Sequence, residues 1–210
     1  MRKSHDQRRA EIIQGALEVA ADQGIGRATT AAIAARVGIA QPTIFRHFDD
    51  RDAIFRAALE SIGAGMRAEL EPVFADTATP PSRRLRAVLH RQLGYVAANK
   101  GIPRLLFSDR LHLESPALKE AVRDNMHLFQ GGIAAIVREG AGADFPAGTD
   151  PERAAWLMVS LVQGTVLRWS LMDFAFDLAA QADDLWAMAC RGLSGPGGGD
   201  AWTLEPGETP

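Results

Sequence analysis

Apolar residues recur at spacings of three and four along almost the whole chain, and alternating runs of β-branched residues do not occur. A chain with a helical period and no strand period buries its apolar surface by packing helices together, so the expected fold class is all-α. Caps and breakers divide it. A first helix is expected over about 7–23, with Ile12, Ile13, Ala16, Leu17, Val19 and Ala20 inward and Gly24 as its stop. A short helix over about 30–37 takes Thr29 as N-cap, because the hydroxyl can accept from an otherwise orphan amide, and Gly38 breaks it. A third covers about 41–47, with Pro42 tolerated in its first turn, and Asp49-Asp50 can cap a fourth over about 50–75.

Pro72 and the run Thr77-Ala78-Thr79-Pro80-Pro81 mark a linker. About five further helices follow, at roughly 83–99, 103–111, from Pro116, 151–176 and 178–193. The one opened by Pro116 has the cleanest period, through Leu118, Val122, Met126, Phe129, Ile133, Ile136 and Val137. The last sets Leu178, Ala182, Leu185, Trp186, Ala189 and Leu193 in register. The tail 195–210, rich in Gly, Pro and acidic residues, is expected to be disordered.

The 151–176 segment is apolar nearly all round: Trp156, Leu157, Met158, Leu161, Val162, Val166, Leu167, Trp169, Leu171 and Met172. Such a helix must be covered on every side, either as the central helix of the core or by a partner subunit. The second reading is preferred. It gives a homodimer whose interface holds Trp156, Ser160, Gly164, Leu167 and Leu171, with Leu185, Trp186 and Ala189 of the last helix. Ser160 and Gly164 permit close helix approach. No run reaches the roughly 20 apolar residues of a membrane span. The richest contains Ser160, Gln163, Arg168 and Asp173, and no signal peptide precedes the first helix, so a cytoplasmic protein without a membrane partner is expected.

The formal net charge is −3, which announces no nucleic-acid partner, but it is uneven. Residues 1–51 carry 8 basic and 6 acidic side chains, and the remainder is net acidic. With Cys190 as the single cysteine, no internal disulfide forms and a Cys/His zinc site is not expected. The histidines show no i,i+4 pairing on one helix, so no metal is expected.

Residues 29–48 form two short helical patterns with a glycine turn between them, the requirement of a helix-turn-helix. Ile33, Val37, Ile39, Ile44 and Phe48 can close a small core, while the second helix exposes Gln41, Thr43, Arg46 and His47. Such a helix fits the DNA major groove with its N-terminal residues toward base edges. Thr30-x-x-Ile33-Ala34-x-x-x-Gly38-Ile39-x-x-x-Thr43-Ile44-Phe45-x-His47-Phe48, then Asp52-x-Ile54-Phe55, resembles the DNA-binding domain of TetR-family repressors over roughly residues 8–56. The resemblance implies a nine-helix protomer, a homodimer, a palindromic operator, and a C-terminal domain that holds an inducer. Two positions depart from the family's pattern. Ala40 stands where Ser or Thr is frequent, and Phe45 where Tyr is usual and its phenol commonly meets a phosphate.

The candidate double-stranded-DNA contacts are Thr30, Gln41, Pro42, Thr43, Phe45, Arg46 and His47. Gln41 can bond an adenine edge at two points, Arg46 reaches guanine or phosphate, and Thr30 and Thr43 offer hydroxyls and helix N-terminal amides to phosphates. His47 reads as a phosphate contact, and Arg2, Lys3, Arg8 and Arg9 as an arm over the duplex or a solvated basic terminus. An apolar lining with few polar groups is the usual make-up of a small-molecule pocket. Its candidates are Phe107, Met126, Phe129, Trp156, Val159, Gln163, Trp169 and Met172, with plain core packing as the alternative for each. The bend 104–112 is the candidate link between pocket and DNA-binding part.

Asp109, His112 and Ser108 are close in sequence, but no Gly-x-Ser-x-Gly, Walker or dinucleotide-binding glycine pattern occurs, and Gly197-Gly198-Gly199 lies in the tail. No enzyme and no cofactor are expected. The domain reading is 1–50 for DNA binding, 51–194 for ligand binding and dimerisation, and 195–210 for the tail. The functional reading is a ligand-responsive repressor with an unidentified, largely apolar effector. Its alternative is a DNA-organising protein of the same architecture that answers to no small molecule.

Overall fold

Ser4 opens the first helix with a capping box. Its hydroxyl accepts from the Gln7 amide at 3.1 Å, and the Gln7 side chain accepts from the Ser4 amide at 2.9 Å. The computed structural model describes residues 4–108 and 116–194. Arg2, Lys3, the segment with Asp109, Arg110, Leu111 and His112, and the tail 195–210 lie outside the described residues, as do the side chains of Leu118 and Leu193.

Among the described residues the chain is all-helical: α1 (His5–Gln23), a 3-10 turn (Ile25–Arg27), α2 (Thr30–Val37), α3 (Gln41–Ile44), α4 (Arg51–Ala75), α5 (Pro81–Ala98), α6 (Gly101–Leu106), α7 (Pro116–Glu139), α8 (Pro151–Leu171) and α9 (Gln181–Ser194). The caps act where their chemistry places them. Thr29 Oγ1 accepts from Ala32 N–H at 3.1 Å, Asp50 from Ala53 N–H at 2.7 Å, and Gly38 ends α2 in the left-handed conformation at φ 73°.

Several boundaries differ from the sequence reading. α3 stops at Ile44 rather than near 47, because Arg46 and His47 donate to Thr43 and Ile44 in i→i−3 bonds that tighten the last turn. Pro72 does not mark a linker but lies inside the last turn of α4. There the terminal carbonyls are served by a buried cation. Arg84 Nε donates to the Val73 carbonyl at 3.1 Å and Nη2 to that of Phe74 at 2.9 Å, while Nη1 meets Glu139 at 2.5 Å. α6 begins at Gly101 and ends at Leu106. α8 ends at Leu171 rather than 176 because Asp173 and Phe174 turn left-handed, at φ 50° and 63°. Trp169 Nε1 then donates to the Phe176 carbonyl at 2.9 Å and folds the chain back before α9.

Two apolar cores result. The first joins α1, α2, α3 and the N-terminal part of α4 around Ile12, Ile33, Ile44, Phe48, Ile54 and Phe55, and it takes in Leu105 of α6. The second joins the C-terminal part of α4 with α5, α7, α8 and α9. We call the two regions the head and the body. α6 is their bridge: Gly101 packs so closely on α1 that a Cβ there would stand 2.5 Å from the Leu17 carbonyl oxygen.

Candidate DNA interface and ligand cavity

The head presents α3 on the surface, with Ile44 fully buried beneath it and Gln41, Pro42, Phe45 and Arg46 exposed. Ala40 at its N-cap contributes no side-chain bond. A different contact steadies the entry: Gln41 Nε2 donates to Thr30 Oγ1 at 2.9 Å. A glutamine amide has two N–H donors and a carbonyl acceptor, so the bond to Thr30 orients Gln41 and still leaves a donor and an acceptor for an adenine edge. Thr30 and Thr43 are half-buried at the starts of α2 and α3. Phe45 is 52% exposed, a large apolar ring on the surface shared with Gln41, Pro42 and Arg46.

The His47 ring meets that of His5 at a tilt of 43° with 4.5 Å between centroids, and its Nδ1 is buried without a partner. Burial first, then the positive neighbourhood of His5, Arg46, Arg8 and Arg9, pushes its imidazole below the ordinary histidine value. Arg8 and Arg9 are not a free arm. Both lie within α1, where Arg8 pairs with Glu11 at 2.8 Å. Arg9 donates to the His47 carbonyl at 2.7 Å and covers the Phe48 ring at 4.2 Å, which ties α1 to the end of the reading element. Arg51 locks the other side, donating to the carbonyls of Ala28 (2.9 Å) and Ile25. Arg36 joins α2 to α1 through Asp22 at 2.7 Å and Glu18 at 3.3 Å.

The body holds a cavity of about 760 Å³, partly open to solvent and walled by α4, α5, α6, α7 and α8. Of the residues proposed from sequence, Phe107, Met126, Phe129, Val159 and Gln163 line it. Trp156, Trp169 and Met172 do not. Trp169 is 3% exposed because its ring packs in the body core beside Phe174, while Trp156 and Met172 are exposed at 59% and 49% on the outer surface. Sequence reasoning missed the α4 wall, which supplies Leu59, Ile62, Met66, Leu70 and Phe74. The apolar spacing of α4 was the available signal. Two glycines set the wall's approach to α7: a Cβ at Gly63 would stand 2.5 Å from the Asn125 side chain, and one at Gly132 2.6 Å from the Phe74 ring. α6 faces both ways, with Ile102 and Leu106 toward the cavity and Leu105 in the head core.

The outer surface of α8 carries the exposed row Trp156, Ser160, Gly164, Leu167 and Leu171, and no atom lies within 4 Å of a Cβ built at Gly164. On α9, Ala189 is buried, and Leu185 and Trp186 are half-buried against the body core, while Met188 is exposed. Among the described residues no group of three His, Cys, Asp or Glu side chains is placed to hold a metal, and no helix is long and apolar enough to cross a membrane.

Residues 12–58 match the family model described as bacterial regulatory proteins, tetR family, and residues 81–191 match that of the BetI-type transcriptional repressor, C-terminal. The chain belongs to the TetR family. It is a DNA-binding transcriptional regulator with an N-terminal helix-turn-helix and a C-terminal helical domain. A curated relative, nucleoid occlusion factor SlmA of Vibrio cholerae, is 27% identical over 86% of this chain and 93% of its own. Among solved structures, the fatty acid degradation regulator FadR from Bacillus halodurans superposes with a TM-score of 0.76 at 19% identity, over 92% of this chain and 98% of that one. FadR from Bacillus subtilis in complex with stearoyl-CoA gives 0.73 at 20%, over 88% and 98%. These last two likenesses concern the TetR-family fold.

Proposed function

We propose that this regulator is a repressor that binds a palindromic operator as a homodimer and is released by a largely apolar small molecule held in the body cavity. The cavity carries the reading. Its α4 and α6 walls are the same helices that enter the head core, through Leu59 and Leu105 respectively. A ligand that fits the cavity better when α4 and α6 are displaced moves the head with them. That differential affinity, rather than tight binding as such, weakens DNA binding. The exposed row from Trp156 to Leu171 on α8 is the proposed dimer face. Two heads read half-sites about one helical turn, roughly 34–36 Å, apart. Thr30, Gln41, Pro42, Thr43, Phe45, Arg46 and His47 are proposed as the DNA contacts. The protein acts in the cytoplasm by binding rather than by catalysis, which fits Ser108, whose hydroxyl is buried and donates to the Leu105 carbonyl at 2.7 Å.

The likeness to the nucleoid occlusion factor SlmA favours a second reading, in which the chain organises DNA and answers to no small molecule. The two readings separate in one experiment. DNA selected from a random pool is bound to the protein and challenged with amphiphiles of graded chain length. Release of the DNA at ligand saturation supports the repressor reading. Saturable ligand binding that leaves DNA affinity unchanged, or no binding across the series, refutes it in favour of the organising role.

A further inference from the structure

The turn after α8 is left-handed at two successive residues, Asp173 and Phe174, with φ 50° and 63°. Aspartate tolerates that region, but a bulky aromatic residue rarely enters it and persists there only where surrounding contacts hold it. Here the contacts converge on the Phe174 ring. Trp169 meets it edge to face, with centroids 4.6 Å apart, and Lys100 and Arg104 each place a cation 5.2 Å from its centroid. Arg104 Nη2 also donates to Asp173 Oδ1 at 3.1 Å. The Asp173 side chain is 90% exposed, so that ion pair alone adds little and the ring is the stronger hold.

Both cations come from α6, the bridge. Lys100 is its N-cap and Arg104 lies four residues on, so the two reach the same ring. Gly101 and Leu105, each the next residue along, form the neighbouring stripe: Gly101 packs on the Leu17 carbonyl of α1, and Leu105 lies in the head core. At the other end, Leu171 closes both α8 and its exposed row, two residues before Asp173. One stripe of α6 thus holds the head, and the adjacent one holds the end of the proposed dimer face.

We propose that this Phe174 latch fixes the distance between the two heads, with Arg104 and Phe174 as positioning residues for operator spacing. This rests on the reading of a homodimer on a palindromic operator. Each head is placed relative to the dimer face through α6, so the range of spacings the protein accepts is as narrow as that connection is stiff. Moving a half-site by one base pair shifts it roughly 3.4 Å and rotates it about a tenth of a turn, which a head held by the latch does not follow.

The test takes the inverted repeat selected from a random DNA pool and adds or removes one central base pair. The parent protein is expected to bind either altered repeat at least about tenfold more weakly. Arg104→Met keeps an apolar stem and loses the charge. It is expected to reduce that penalty to less than about threefold, while its affinity for a duplex with a single half-site stays that of the parent. Arg104→Lys, which keeps a cation for the ring, is expected to restore the strict spacing. Phe174→Gly keeps the left-handed turn without the ring and should behave as Arg104→Met does. A parent indifferent to spacing, or variants as strict as the parent, overturns the latch and leaves the palindromic operator standing. Variants that lose the single half-site as steeply as the full repeat also overturn it, since the two residues then support the head's own fold. Selected DNA without an inverted repeat overturns the dimer reading, and the proposal falls with it.

Discussion

The head and the body are both packed from helices and differ in how completely they are filled. In the head, Ile12, Ile33, Ile44, Ile54 and Phe55 are fully buried, and Arg9, Arg36 and Arg51 bind the elements together across their polar edges. The body leaves a cavity of about 760 Å³ inside and an apolar row along α8 outside. A reading head has to hold α3 in one pose against DNA, so close packing serves it. On the proposed function, the body needs a void for its ligand and an open face for its partner, and packing is given up at those two places.

Truncation in each region tests the contrast most strongly. Ile44→Ala removes a fully buried side chain from beneath α3 and should cost about 2–5 kcal/mol in denaturant unfolding, with loss of DNA binding. Met126→Ala, at a cavity wall where the side chain is 38% exposed, should cost less than about 1 kcal/mol, because few packing atoms are lost. Equal losses at the two sites would show that the void is closed in solution.

The bridge comes next. In Gly101→Ala the new methyl meets backbone rather than a movable side chain, since Leu17 O would stand 2.5 Å away. A loss of about 1–3 kcal/mol is expected, together with weaker coupling between ligand and DNA binding. Gly131→Ala is the control. It lies in α7 with nothing within 4 Å, so it should be neutral or stabilising by up to about 1 kcal/mol. A Gly101→Ala protein as stable as the control would mean that α6 slides freely on α1.

The contrast also marks how far the sequence could be read. The helix-turn-helix was legible because its signals are local: Thr29 and Asp50 cap, Gly38 turns, and Ile33, Ile44 and Phe48 recur at helical spacing. The α8 row was legible because a helix apolar on all sides has to meet something beyond its own core. The cavity was only half legible. Trp156, Trp169 and Met172 have the composition of a pocket lining, but which side of α8 faces the void depends on where α4 and α7 pass. That crossing is set by Gly63 against Asn125 and Gly132 against Phe74, pairs far apart in the chain. The clamps from Arg9 to His47 and from Arg84 to the end of α4 are equally nonlocal, and no periodicity encodes them.

The open row on α8 sharpens the comparison at the level of assembly. Leu171, 72% exposed, contributes little to the protomer, so Leu171→Arg should leave its fold intact while weakening the dimer at least about tenfold in sedimentation. Gly164→Ala gives a second reading. With nothing within 4 Å inside the protomer, any loss of dimer affinity reports a partner at that point. A dimer indifferent to both changes would move the interface elsewhere.

The smallest expected effect belongs to the head. Burial and the neighbouring positive charges lower the His47 pKa from its unfolded value of about 6.5. Between the two values the unfolded chain holds a proton that the folded one lacks, so this group's contribution to stability falls as pH falls through that window. A DNA phosphate placed beside His47 would act in the opposite sense, favouring the imidazolium, so complex formation would take up a proton and tighten as pH falls. At constant salt, affinity should rise severalfold as pH falls from neutrality into the mildly acidic range, and His47→Gln should flatten the slope. An unchanged slope in that variant would remove His47 from the phosphate contacts.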